Sequence, residues 1–164
     1  MERLYASWRL AYVTRSSDAD ACVFCVAQET GEAGALIVHH GLSAFVILNL
    51  FPYNPGHLMV VPRRHVDRLA DLTHPELVEM AELTRAGELA LTEVYRPQGI
   101  NVGMNLGRPA GAGVADHLHT HLVPRWIGDT NFMTVVGGAR VLPEEIGQSG
   151  ERLRPVFARL CGAR

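Results

Sequence analysis

The apolar positions along the chain change period several times, and each change marks an element. Residues 36–39 (Leu-Ile-Val-His) and 44–50 (Ala-Phe-Val-Ile-Leu-Asn-Leu) are rich in branched and aromatic side chains and flank Gly41, a pattern that predicts a hairpin. Pro52-Tyr-Asn-Pro55-Gly56 is a turn by composition, and a third strand, His57–Val61, is stopped by Pro62. From 73 to 95 the period becomes helical. Thr73 with Glu76 fits a capping box, Pro75 falls in the first turn, and Leu77, Met80, Leu83, Ala90, Leu91 and Val94 form one apolar stripe. Pro97 and Gly99 close that helix. A fourth strand, Ile100–Leu106, leads into the glycine-rich loop Gly107–Gly113, and a fifth, His117–Val123, runs into Pro124-Arg-Trp126. Leu153, Val156, Phe157 and Leu160 recur at helical spacing around Pro155, which predicts a weak or kinked C-terminal helix. Five strands, one long helix and short connections predict an α+β domain with a mainly antiparallel sheet. The expected layout is a single domain over 1–164, with an N-terminal segment (1–30), a core sheet and helix (36–125) and a C-terminal extension (126–164).

Composition narrows the chemistry. With 164 residues, 48% hydrophobic and 20% charged, the chain has a globular composition and enough length for one core. A formal charge of −2 argues against a general nucleic-acid binder. All 15 basic residues are arginine, which excludes lysine Schiff bases, pyridoxal phosphate attachment and the Walker A loop. The start lacks a basic-then-apolar signal pattern, and the longest apolar runs, 44–52 and 58–62, are far short of the ~20 residues that span a bilayer. The expected location is the cytoplasm, away from membranes. There Cys22-x-x-Cys25 points to metal or redox chemistry, with Cys161 a lone third cysteine. The pair offers two zinc ligands at standard spacing and needs two more from elsewhere. A buried reduced pair is the plain alternative. A thioredoxin-like motif lacks its strand–Cys-x-x-Cys–helix context.

The most specific pattern is His117-Leu-His119-Thr-His121-Leu-Val123. On a strand, residues two apart share a face, so three imidazoles line one side while Leu118, Thr120 and Leu122 face the other. One zinc held by all three is disfavoured, because His117 and His121 are about 13 Å apart along a strand. The row suits an anion lying along it, with one neutral imidazole as nucleophile and its neighbours as hydrogen-bond donors. A polar strand face open to water is the bland alternative. Gly111 and Gly113 would let the backbone approach such an anion closely. His39, His40 and His74 are read as ordinary polar residues, and Arg108 as a surface arginine.

The His-φ-His-φ-His-φ-φ pattern resembles the signature of the histidine triad (HIT) family of nucleotide hydrolases and transferases, with Thr120 at a position usually apolar. Asn49–Pro62 resembles the family's ribose-binding segment and second active-site strand, and Asn101–Asn105 its phosphate-side strand. Leu4–Arg9 and Pro124–Phe132 resemble the branch that acts on diadenosine polyphosphates as hydrolases or phosphorylases. The resemblance implies that His119 is the nucleophile, forming a nucleotidyl-histidine, and that His121 and His57 contact phosphate oxygens. It further implies that Asn49 binds the ribose and Asn105 the phosphate chain, with an apolar base pocket around Ile47. Trp126 could stack on the second nucleoside, and Arg125 could meet polyphosphate charge. In this chain the loop before the triad, Ala110-Gly-Ala-Gly-Val114, lacks the family's usual Ser, Thr or Gln side chain and offers backbone N–H groups. Cys22-Val-Phe-Cys25 resembles the family's N-terminal metal half-site, which with His65 and His117 implies a structural zinc. A homodimer is implied as well. The function expected is diadenosine polyphosphate cleavage, hydrolytic or phosphorolytic. An adenosine phosphoramidase, a nucleotide-binding regulatory module with little turnover and a zinc-dependent hydrolase are the alternatives.

Overall fold

The computed structural model describes residues 22–29, 36–130 and 142–162. The motif Leu4–Arg9 and the end of the 124–132 motif lie outside them. The described elements are α1 (Val23–Glu29), β1 (Ile37–His40), β2 (Ala44–Leu48), β3 (Leu58–Pro62), α2 (His74–Tyr95), β4 (Gly99–Met104), β5 (Thr120–Arg125) and α3 (Ile146–Cys161). The strands form one sheet in the order β1-β2-β3-β5-β4, and every neighbouring pair is antiparallel. The α+β class expected from the sequence holds. No helix among the described residues is long and apolar enough to cross a membrane.

Strand alternation sorts the two faces. Ala44, Val46, Leu48, Leu58, Val60 and Leu122 point into the main core, which α2 and α3 cover with Met80, Leu83, Ala90, Leu91, Leu153 and Phe157. The opposite parity, Phe45, Ile47, Met59 and Val61, packs against Phe24 and Ala27 of α1. The histidine row lies on this second face, because His121 pairs with Met59.

Several local expectations need correction. β2 ends at Leu48, short of residue 50, because the Asn49 Oδ1 accepts the Phe51 N–H at 3.0 Å and turns the chain. β4 stops at Met104 and β5 starts at Thr120. Beyond Thr120 the Leu118 N–H is committed to the Val66 carbonyl at 2.6 Å, so it cannot extend the ladder with β3. The inward alternation nevertheless continues through Leu118. Leu77, placed in the apolar stripe of α2, is 38% exposed. α3 is continuous from 146 to 161 despite Pro155, because Leu153, Val156 and Phe157 bury against the sheet. His39 is a packing residue, half-buried and stacked on Phe157 at 5.8 Å between ring centroids. The capping box of α2 forms as expected: the Glu76 carboxylate accepts the Thr73 N–H at 2.7 Å and is forked by Arg64.

Candidate active site

The β3–β5 pairing brings together histidines 64 residues apart. His57 ends the turn before β3 and is fully buried. Its Nδ1 accepts the Tyr53 backbone N–H at 3.1 Å, so the neutral ring carries its proton on Nε2. That Nε2 lies 3.0 Å from His121 Nδ1 and donates to it. His121 must then carry its own proton on Nε2, turned toward the open cleft it lines. One backbone amide therefore fixes two tautomers in series. Asn49 closes the arrangement, its Nδ2 3.3 Å from His57 Nδ1. The sequence expectation that His57 itself contacts phosphate oxygens does not fit this burial. It meets the cleft over β4 and β5 through His121, whose Nδ1 it holds.

His119 is oriented differently. Its Nδ1–H donates to the His117 carbonyl at 2.8 Å, which leaves the Nε2 lone pair unprotonated in the neutral ring. The ring is 4% exposed, edge-on to His121 at 4.8 Å and packed against Phe24 at 5.1 Å. Burial pushes the pKa of His119 below the ordinary histidine value, and burial reinforced by His119 pushes His121 down to about 4. Both rings are neutral at pH 7.

An open cleft of about 440 Å³ lies over β4 and β5. His121, Val123 and Arg125 line it from alternate positions of β5. Asn101 and Gly103 face them from β4, with Asn105 just past the strand end. At its far end Arg125 forks the Asp129 carboxylate, Nε to Oδ2 at 2.6 Å and a terminal nitrogen to Oδ1 at 2.9 Å. The guanidinium holds that carboxyl well below the usual carboxylate range. Of the other expected substrate contacts, Asn49 and His57 line an adjoining depression on the other side of the turn. Ile47 is 5% exposed beneath α1. Trp126 is half-buried on the following turn and is not among the residues lining the cleft. In the glycine loop, the Gly111 N–H is committed to the Arg108 carbonyl at 2.9 Å and cannot also serve an anion. Arg108 is exposed, as expected. Gly113 lies beyond that turn, half-buried.

Beside the triad, Cys22, Cys25, His65 and His117 place one ligand atom each within 4.8 Å of one another. Cys22 Sγ is 3.2 Å from His117 Nδ1, and Cys25 Sγ is 3.4 Å from His65 Nδ1. Ligand atoms around a tetrahedral zinc lie about 3.4–3.8 Å apart, so this donor set needs little adjustment to close on one ion. His117 Nε2 donates to the Pro62 carbonyl at 2.8 Å, which leaves Nδ1 aimed at the sulfurs. Four protein ligands leave no open position, the form of a structural metal centre.

A family model described as HIT domain matches residues 30–126, more than half of the chain. The chain belongs to the HIT family. It is 40% identical to an AP-4-A phosphorylase of Mycobacterium tuberculosis over 97% of its own length and 86% of that protein. It is 34% identical to a bis(5'-nucleosyl)-tetraphosphatase (asymmetrical) of Schizosaccharomyces pombe, over 56% of this chain and 50% of that one. Among solved structures, a zinc-bound histidine triad family protein of Mycobacterium smegmatis superposes with a TM-score of 0.69 and 28% identity, covering 88% of this chain and 98% of that one. Sequence reasoning on this HIT domain missed four contributors to the site: Phe24 on the His119 ring, Tyr53 as amide donor, and Asn54 with Asp129 at the cleft's end. Their signal was weak. Tyr53 and Asn54 belong to a turn that composition marks only as a turn, and Asp129 follows Arg125 by four residues outside any helix.

Proposed function

We propose that this chain cleaves diadenosine polyphosphates through a nucleotidyl-His119 intermediate. The observation that carries the reading is the pair of fixed tautomers: an unprotonated Nε2 on His119 beside a protonated Nε2 on His121. His119 Nε2 attacks the α-phosphorus, a P–N bond forms, and the P–O bond to the leaving nucleoside polyphosphate breaks. His121 Nε2–H donates to a phosphate oxygen as charge develops there, with His57 positioning it. An acceptor oxygen then breaks the P–N bond and restores His119. Asn49 suits the ribose and Asn105 the phosphate chain, with the base beside the apolar cluster around Ile47 and Phe24.

The Mycobacterium tuberculosis relative, matched over nearly the whole chain, is named a phosphorylase, which favours inorganic phosphate as the acceptor. Zinc is the metal we assign to Cys22, Cys25, His65 and His117. It would tie α1 to the sheet and supply no step of the reaction. We also expect a homodimer through β4, one of the two outer strands of the sheet, where Val102 is 52% exposed. Product analysis on diadenosine tetraphosphate tests the reaction. ATP with ADP, dependent on added phosphate, supports phosphorolysis, and ATP with AMP indicates water. Absence of turnover overturns the enzymatic reading.

A further inference from the structure

The distal end of the cleft is built with more care than a surface turn requires. Asp129 accepts from Arg125 Nε and from a second guanidinium nitrogen, and from Asn54 Nδ2 at 2.9 Å and the Trp126 N–H at 3.3 Å. Its side chain is only 10% exposed. Asn54 is itself 7% exposed and also donates to the Pro124 carbonyl at 2.7 Å, which locks the turn carrying Tyr53 to the end of β5. On the opposite strand, Asn101 Oδ1 accepts a third guanidinium N–H at 2.9 Å. A guanidinium has five N–H donors. Three are committed to Asp129 and Asn101, so two remain, on a side chain that is 46% exposed and lines the cleft.

Position gives this residue a use. Arg125 shares the face of His121 and lies four residues further along β5, about 13 Å away. A single phosphate held at His119 and His121 cannot span that distance, whereas the tail of a nucleoside polyphosphate is long enough to do so along the cleft that both residues line. The Arg125–Asp129 pair carries no net charge, so it does not gather anions from a distance. It rewards a ligand only when a phosphate oxygen reaches the two remaining donors.

We propose that Arg125 is a chain-length gauge, binding the distal phosphates of the leaving nucleoside polyphosphate. Asp129 and Asn54 are positioning residues that hold its guanidinium in place. The proposal rests on the diadenosine polyphosphate reading above and adds to it the residue that separates long leaving groups from short ones.

The test is steady-state kinetics of the full chain on diadenosine tetraphosphate and on adenosine 5'-phosphoramidate, for wild type, Arg125→Ala, Arg125→Lys and Asp129→Asn, with thermal unfolding of each. Hydrogen bonds to charged groups are worth roughly tenfold or more in affinity. Each variant should therefore lower the ratio of kcat/KM on the long substrate to that on the short one by about tenfold or more, mainly through KM. Lysine should fail to rescue, because it keeps the charge without the fork. Asp129→Asn combined with Arg125→Ala should be no worse than Arg125→Ala alone, because Asp129 acts through Arg125. An unchanged ratio, or equal losses on both substrates, overturns the gauge and leaves the functional reading intact. A wild type that cleaves only the short substrate overturns the diadenosine polyphosphate reading, and the gauge falls with it.

Discussion

Replacing His57 with phenylalanine isolates the series of fixed tautomers. The side chain is fully buried, and phenylalanine is a ring of similar shape and somewhat larger volume, so the change removes the ring's hydrogen bonds and opens no cavity. The Tyr53 N–H loses its 3.1 Å acceptor, and His121 Nδ1 loses its 3.0 Å donor. Two hydrogen bonds lost at about 0.5–1.5 kcal/mol each come to about 1–3 kcal/mol. At this chain length that corresponds to a fall in Tm of roughly 3–10 °C. The catalytic loss is larger in its consequence. Without a donor at Nδ1, His121 is free to move its own proton there, and its Nε2 then faces the cleft as an acceptor, opposing phosphate. Losing one preorganised donor costs about 10²–10³-fold in kcat. His57→Gln keeps an N–H donor near the Nε2 position and should retain kcat within about tenfold, whatever its Tm. The assay is kcat at saturating diadenosine tetraphosphate, read beside the melting curve. A folded His57→Phe enzyme with kcat within threefold of wild type would refute the relay.

Three further outcomes follow from the same geometry. Because burial lowers the pKa of His119 below the ordinary histidine value and takes His121 to about 4, both rings stay neutral until the pH falls below that ordinary value, so the acid limb of kcat/KM should lie below about 6.5; a midpoint at 6.5 or above contradicts their burial. Cys22→Ser should lower both zinc content and Tm while the folded fraction still forms the nucleotidyl adduct; complete, zinc-reversible loss of turnover in a folded, chelated sample would mean that the metal is catalytic. Gly56 sits at φ +74° with space for a Cβ only 2.6 Å from the Tyr95 ring, so Gly56→Ala should cost about 2 kcal/mol or more in urea unfolding and reduce kcat through the Tyr53–His57 turn; a neutral effect would show that the turn relaxes freely.

What the sequence disclosed and what it hid divide along physical lines. β2 and β3 were legible as short runs of apolar, mostly branched residues, β5 by the strict alternation of its histidines, and the capping box of α2 because it is a local bond between residues three apart. The triad and the Cys-x-x-Cys pair stood out by residue type and spacing, and the cluster with His65 and His117 came from the resemblance rather than from any local signal. α1 was missed because seven residues carry too little periodicity, with only Phe24 and Ala27 buried. Its existence depends on packing against β2 and β3. The internal role of His57 was equally hidden, since it rests on pairing between strands 64 residues apart. Pro155 misled in the opposite direction: local propensity argued for a break, and burial of Leu153, Val156 and Phe157 outweighed it. Arg125 was legible as a cation near the triad, but its fork on Asp129 was not, because that contact is made across a turn.

The measurement that bears most directly on the mechanism is the capture of the intermediate itself. Wild-type protein is mixed with diadenosine tetraphosphate in the absence of phosphate, denatured at alkaline pH to preserve an acid-labile P–N bond, and mapped by peptide mass spectrometry. The account predicts an adenylyl adduct on His119, discharged to ADP when phosphate is added before the quench, and absent from His119→Ala, whose turnover falls at least about 10³-fold. An adduct on another residue, or a His119→Ala enzyme within tenfold of wild type, would contradict it.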